Sequence, residues 1–204
     1  DGDPWGVEIL VPSARAARPL ARVRPGQVGL YVCGLTVQDR PHLGHMYAFV
    51  ACDVVRRYLE HLGYRVTHVQ NFTDIDDKII ARAAGEGTSA DQVAERNIAA
   101  YHEVARALSI RPAHHYPRVT GHIDDIVAMI GRLITRGHAY AAGGDVYFRV
   151  RSWPRYGRLS GRDLEEMRSG VRVEVGDRKE DPLDFALWKR SRAGEPAWDS
   201  PWGR

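Results

Sequence analysis

The sequence predicts an α/β protein built on a parallel sheet, and three observations carry that prediction. GLYVCG (29–34) is a short apolar run ending in glycine, the pattern of a buried strand. A helix-periodic stretch follows it, and RVTHVQNF (65–72) then alternates as a second strand. A strand–helix–strand crossover of this length joins parallel strands.

The intervening helix runs through HLGHMYAFVACDVVRRYLEHLGY. Ala48, Cys52, Val55, Leu59 and Leu62 recur at spacings of three and four and form the expected buried stripe, with Asp53, Arg57 and Glu60 opposite. Gly63 is a natural stop. Beyond the second strand, Thr73 and Asp74 open TDIDDKIIARAAGEG with side chains suited to a helix cap. Further helices are expected over 89–110 and 121–137, and HAYAAGGDVYFRV (138–150) reads as a hairpin with a Gly-Gly turn. Residues 151–183 are rich in Arg, Gly, Asp and Glu without clear periodicity and read as an exposed, irregular insertion. DFALWKRS (184–191) returns to strand composition.

The length of 204 residues suits one large domain, or one domain carrying a smaller insertion. No run of 18 apolar residues is present, so no membrane-spanning helix is expected. The first ten residues lack the basic and apolar regions of a secretory signal. Cys33 and Cys52 are the only cysteines, which excludes a disulfide framework and points to a reducing compartment. Net charge is +3, with a pI near 9.0. Such a balance fits a polyanionic partner and an ordinary solvated surface equally.

In parallel sheets ligands collect beyond the carboxyl ends of the strands. CGLT (33–36) and NFTDIDD (71–77) both fall at that edge. Next comes HLGH (42–45), at a helix N-terminus where unpaired N–H groups and the helix dipole favour anions. Pro41 suits the entry to a first turn, and Gly44 would let a ligand approach the backbone. Two imidazoles there suit phosphate oxygens; two exposed capping histidines, or two ligands of a metal lacking its third, fit the same residues. Alone, Cys33 reads as a small buried strand residue, and Cys52 as packing on the apolar helix face. The carboxylates of DIDD (74–77) suit either magnesium or a helix cap. RSWPRYGRLSGR (151–162) combines four arginines with Trp153 and Tyr156, as a solvated face or an RNA-contacting one would.

Taken together, YVCGLTVQDRPHLGH (31–45) and VQNFTDIDDKII (69–80) closely resemble the class I aminoacyl-tRNA synthetases and, within them, the cysteinyl-tRNA synthetases. VTGHI (119–123), GHAY with GDVYF (137–148), YGRLSGRDL (156–164) and DFALWK with GEPAWDSPWG (184–203) extend the resemblance along nearly the whole chain. It implies a Rossmann-type nucleotide-binding core with a connective α+β insertion: a first half of the core over 1–110, the insertion over 111–183, and a return towards the core over 184–204. It also implies ATP with Mg²⁺, cysteine and tRNA(Cys) as substrates, and a cytoplasmic, monomeric enzyme.

Residue by residue, the resemblance assigns His42 and His45 to catalysis, and Gly34, Thr36, His42, Gly44 and His45 to ATP. It assigns Gly34 and Thr73 to cysteine, and Cys33 to a zinc ion whose softness would favour a thiolate over a serine hydroxyl. Departures from the family pattern are Leu35 for proline, Gln38 for tyrosine and Met46 after HLGH. Lys78 favours the synthetases over a related cysteine-adenylating ligase of mycothiol assembly, which carries proline there. The family's remaining zinc ligands and lysine loop have no counterpart before Arg204, so the chain is expected to be an N-terminal portion. A non-catalytic binding remnant is the third reading.

Overall fold

The computed structural model describes residues 7–11, 16–20, 24–164 and 178–204. In chain order the elements are β1 (Glu8–Val11), β2 (Ala16–Pro19), β3 (Gln27–Val32), α1 (Leu43–His61), β4 (Arg65–Gln70), α2 (Asp77–Glu86) and α3 (Ala90–Ala107). They continue with α4 (Ile123–Thr135), β5 (Ala139–Ala142), β6 (Asp145–Phe148) and β7 (Phe185–Trp188), with 3-10 turns at Val119–His122 and Val150–Ser152. The chain divides into two compact units, one of residues 21–123 and one of 124–204 with the stretch up to Leu20.

In the first unit β3 and β4 pair in parallel, from Gln27 opposite Arg65 to Val32 opposite Gln70, with α1 as the crossover. A further extended stretch runs along the other edge of β4. The His114 N–H donates to the His68 carbonyl at 2.8 Å, the Gln70 N–H to that of His115 at 3.0 Å, and the Phe72 N–H to that of Pro117 at 2.9 Å. This pairing lies within the first compact unit, which extends to Ile123. Isolated parallel bridges of this kind carry no strand-like alternation for periodicity to detect.

α1 turns a different face inward from the expected one. Met46, Phe49, Asp53, Arg56 and Leu59 are buried, while Ala48 and Val55 are exposed and Cys52 is half-buried. The helix is apolar almost all round, so spacing alone admits more than one stripe. The polar pair is tolerated inside because it is bonded. Arg57 Nε donates to Asp53 Oδ2 at 2.7 Å, and Arg56 donates to Glu60 at 2.8 Å and to the Pro112 carbonyl at 2.7 Å. Around Tyr101, fully buried, Phe49 and Phe72 pack edge-on at 5.4 and 5.2 Å. α2 is capped by Asp76, whose carboxylate accepts the Lys78 N–H at 2.9 Å, so Thr73 and Asp74 lie before the helix instead of capping it.

The second unit holds an antiparallel sheet in the order β5–β6–β7, and α4 supplies Ile130 to its core with Ala139 and Val146. The expected hairpin forms, turning at Gly143 and Gly144, both at positive φ. β7 joins β6 in this sheet, and Trp188 and Trp202 pack on the same core. Residues 184–204, expected to return towards the nucleotide-binding core, thus belong to the compact unit that contains the hairpin. A lone four-residue strand needs a partner edge, and β6 provides it. Asp184 fastens the junction: buried, it accepts from Tyr140 Oη at 2.7 Å and from the Val150 N–H at 2.9 Å. Of the expected irregular segment, 151–164 is a 3-10 turn followed by a run of turns, and 165–177 lie outside the described residues. The antiparallel β1–β2 pair was not anticipated. Among the described residues no helix is long and apolar enough to cross a membrane.

Candidate active site

Two loops meet beyond the carboxyl ends of β3 and β4. The Gly34 N–H donates to Asn71 Oδ1 at 2.7 Å, and a Cβ built on Gly34 would overlap the Asn71 carbonyl. Only glycine permits this crossing. One step on, Thr36 and Thr73 bridge in parallel: the Thr73 N–H donates to the Leu35 carbonyl at 2.9 Å and the Val37 N–H to that of Thr73 at 3.2 Å. Gly34, Thr36 and Thr73 are thus brought together. Behind Thr73, the buried Asp74 accepts from the Thr120 N–H at 3.1 Å and from its hydroxyl at 2.5 Å.

His42 caps α1. Its Nδ1 accepts from the Gly44 N–H at 3.1 Å, while the His42 N–H points back to His45 Nδ1 at 3.4 Å, and the two rings stack 3.7 Å apart. An imidazole that accepts at Nδ1 carries its proton at Nε2, so each ring keeps one N–H donor to offer. Burial, and then the neighbouring His42, push the His45 pKa below its usual value and so disfavour the charged ring. All four residues of HLGH are exposed at this end of the helix. No hydrogen bond among the described residues links the histidine pair to the Gly34–Thr73 loops.

Cys33 is exposed, in contrast to the buried strand residue that its composition alone suggested. Cys52 is half-buried, and burial raises its thiol pKa. Next to the loops, Gln38, Asp39, Lys78, Arg82 and Glu86 line an open cleft of about 570 Å³. Arg82 is held there by Asp39 and Glu86. Asp76 caps α2 and Asp74 is bonded to Thr120, so these two DIDD carboxylates are committed to structure. Sequence reasoning placed Asn71 and Asp74 at this edge but missed their partners, Gly34 and Thr120. An asparagine facing a glycine-bearing loop was the available signal for the first, since its carbonyl can satisfy a stranded N–H. Nothing local marked the pairing of Asp74 with Thr120, 46 residues away.

Residues 19–204 match the family described as the class I (C) tRNA synthetase catalytic domain. The chain belongs to this family. Its curated relatives include a cysteine--tRNA ligase of Alkalilimnicola ehrlichii, 62% identical over 182 residues, or 89% of this chain and 39% of the relative. Another, from Pyrococcus furiosus, is 54% identical over 181 residues, covering 89% and 38%. The chain therefore spans about two fifths of the length of the curated relatives it matches.

Among solved structures, Mycobacterium tuberculosis methionyl-tRNA synthetase in complex with methionyl-adenylate aligns over 60% of this chain and 25% of its own, with a TM-score of 0.51 and 24% identity. The ternary complex of Agrobacterium radiobacter LeuRS aligns over 61% and 16%, also at 0.51, with 18% identity. These likenesses concern the fold, and they agree with a Rossmann-like α/β catalytic domain. For zinc, the described residues do not make a site: Cys33 is a single thiol, and no three His, Cys, Asp or Glu side chains among them converge to hold a metal.

Proposed function

We propose that the protein activates cysteine with ATP and joins it to tRNA(Cys), a reading supported by curated relatives named cysteine--tRNA ligase. A cysteine carboxylate oxygen attacks the α-phosphorus of ATP, and the bond to the β-phosphate breaks, giving cysteinyl-adenylate and pyrophosphate. A terminal ribose hydroxyl of the tRNA then attacks the acyl carbon and AMP leaves. The observation that best supports this reading is the histidine cap. Both Nδ1 atoms are committed to backbone N–H groups, leaving His42 and His45 with Nε2–H donors for oxygens on which charge develops. Pre-set donors of this kind need no reorganisation during transfer.

In this reading Gly34, Thr36 and Gly44 complete the ATP contacts, Gly34 and Thr73 receive cysteine, and Mg²⁺ arrives with the nucleotide. Residues 1–110 carry the first half of the Rossmann-type core, 111–183 the connective insertion, and 184–204 the return towards the core. The enzyme works in the cytoplasm as a monomer. Cys33 is the zinc thiolate of this reading, but since no three His, Cys, Asp or Glu side chains converge among the described residues no step is assigned to zinc.

Cysteine-dependent ATP–pyrophosphate exchange, with serine as control, tests the first step. Transfer of labelled cysteine to tRNA or to an amino sugar tests the second. The reading predicts exchange with cysteine and transfer to tRNA. Exchange without cysteine dependence, or transfer only to the amino sugar, would overturn it.

A further inference from the structure

We propose that Asn97 and Arg82 are positioning residues: by pinning residues 37–41 they hold the loops of Gly34, Thr36 and Thr73 in register with the His42–His45 cap. The inference rests on the reading that cysteine and ATP react at this edge, and adds what sets the distance between them. The two halves of the site make no hydrogen bond to each other among the described residues, and residues 37–41 are the backbone that joins them. That stretch is neither helix nor strand. Five residues with no ladder of their own can span any distance up to about 17 Å, so their end-to-end length must be fixed from outside.

Two side chains from neighbouring helices do so. Asn97 of α3 is buried, and its Nδ2 donates to the Val37 carbonyl at 2.9 Å. Val37 is itself buried, and its N–H donates to the Thr73 carbonyl at 3.2 Å. The start of the stretch is therefore bound through both backbone groups. From α2, Arg82 pairs with the Asp39 carboxylate, and its Nε donates to the Gln38 carbonyl at 3.4 Å. Glu86, one turn further along α2, lies 3.6 Å from the same guanidinium and restrains it. Asp39 in turn accepts the Arg40 N–H at 2.8 Å. An exposed ion pair contributes little to stability, but a planar fork that meets a backbone carbonyl and a carboxylate together fixes direction. Arg40 and Glu103, both largely exposed, approach only to 3.8 Å and add little.

Adenylate formation needs a carboxylate oxygen about 3 to 3.5 Å from the α-phosphorus, and a misplacement of about 1 Å costs about 10²-fold. The amino-acid loops would place the first atom, and the histidines the oxygens around the second. A slack stretch would let each part bind its own ligand and still lose their register. Neither Asn97 nor Arg82 hydrogen-bonds to Gly34, Thr36, Thr73, His42 or His45 among the described residues, so their influence passes through residues 37–41.

The test compares Arg82→Met, Arg82→Lys and Asn97→Leu with the wild-type 204-residue chain. Without ligand, hydrogen exchange should rise about tenfold at the Arg40 and Gly44 amides in Arg82→Met, and at Val37 in Asn97→Leu, while β4 keeps its protection. Arg82→Lys should fall between wild type and Arg82→Met. Unchanged exchange in both Arg82→Met and Asn97→Leu, or an equal rise throughout the chain, would overturn the proposal. Calorimetry with ATP, with cysteine and with cysteinyl-sulfamoyl-adenosine, a stable mimic that joins the two, then reads the register itself. Arg82→Met should weaken the mimic about tenfold and leave ATP and cysteine each within about twofold. Equal weakening of all three ligands would mark a general loss of structure and overturn the proposal. A wild-type chain that binds none of the three would count against the proposed function alone, since exchange in the ligand-free chain still decides whether these residues fix the stretch.

Discussion

Gly34 shows how one residue type decides the geometry of the site. The crossing of its loop over Asn71 leaves no room for a Cβ, and its N–H is spent on the Asn71 side chain. Gly34→Ala should therefore cost about 3 kcal/mol in urea unfolding and separate the two loops, since overpacking against backbone has no cheap relief. Wild-type stability in that variant would mean that the loops do not cross so closely. His68 makes a second residue-scale prediction. It is buried, neither ring nitrogen has a hydrogen-bond partner among the described residues, and burial followed by Arg56 and His114 holds its pKa below the usual 6.5, with Asp53 opposing. Its depressed folded pKa means that the unfolded chain takes up the proton first. The associated stability is complete above pH 6.5 and is lost as the pH falls from there through the folded value. Unfolding free energies measured between pH 5 and 8 should fall on the acid side, and His68→Leu should flatten that fall. An identical acid limb in the variant would exclude His68 as its source.

At the level of elements, the site depends on what stands behind it. The Asp74–Thr120 bonds tie the Thr73 loop to the turn before α4, across 46 residues. Thr120→Val removes the hydroxyl donor to a buried carboxylate and should cost about 2 kcal/mol of unfolding free energy, with Thr120→Ser nearly neutral. Unchanged stability in Thr120→Val would show that the hydroxyl bond to Asp74 carries none of it. α1 shows where reading a sequence stops. Its span was legible from periodicity, but its inward face was not, because Asp53 and Arg56 are buried through partners contributed by residues 109–112. Long-range polar satisfaction leaves no local pattern. The parallel β3–α1–β4 unit and the glycine-turned hairpin were legible because period, length and turn chemistry agree there. The extended stretch at 114–119, which carries no strand alternation, was not.

For the whole molecule, the motifs that point to nucleotide chemistry fall in the unit of residues 21–123, and the arginine-bearing turns after β6 in the other. Gly34, Thr36 and Thr73 come together as their places at one sheet edge suggested, while the backbone commitment of both histidines needed coordinates to see. Zinc behaves differently from the nucleotide in this account. With no three metal-binding side chains converging among the described residues, the 204-residue chain should retain far less than one zinc in equilibrium dialysis. Stoichiometric zinc lost on Cys33→Ser would contradict that. The most direct test of the central claim is pyrophosphate exchange with His42→Ala and His45→Ala beside the wild type. The account predicts cysteine-dependent exchange that falls about 10²- to 10³-fold in each variant, as loss of one pre-set donor to developing charge should do. Exchange that survives the loss of both imidazoles unchanged would contradict it.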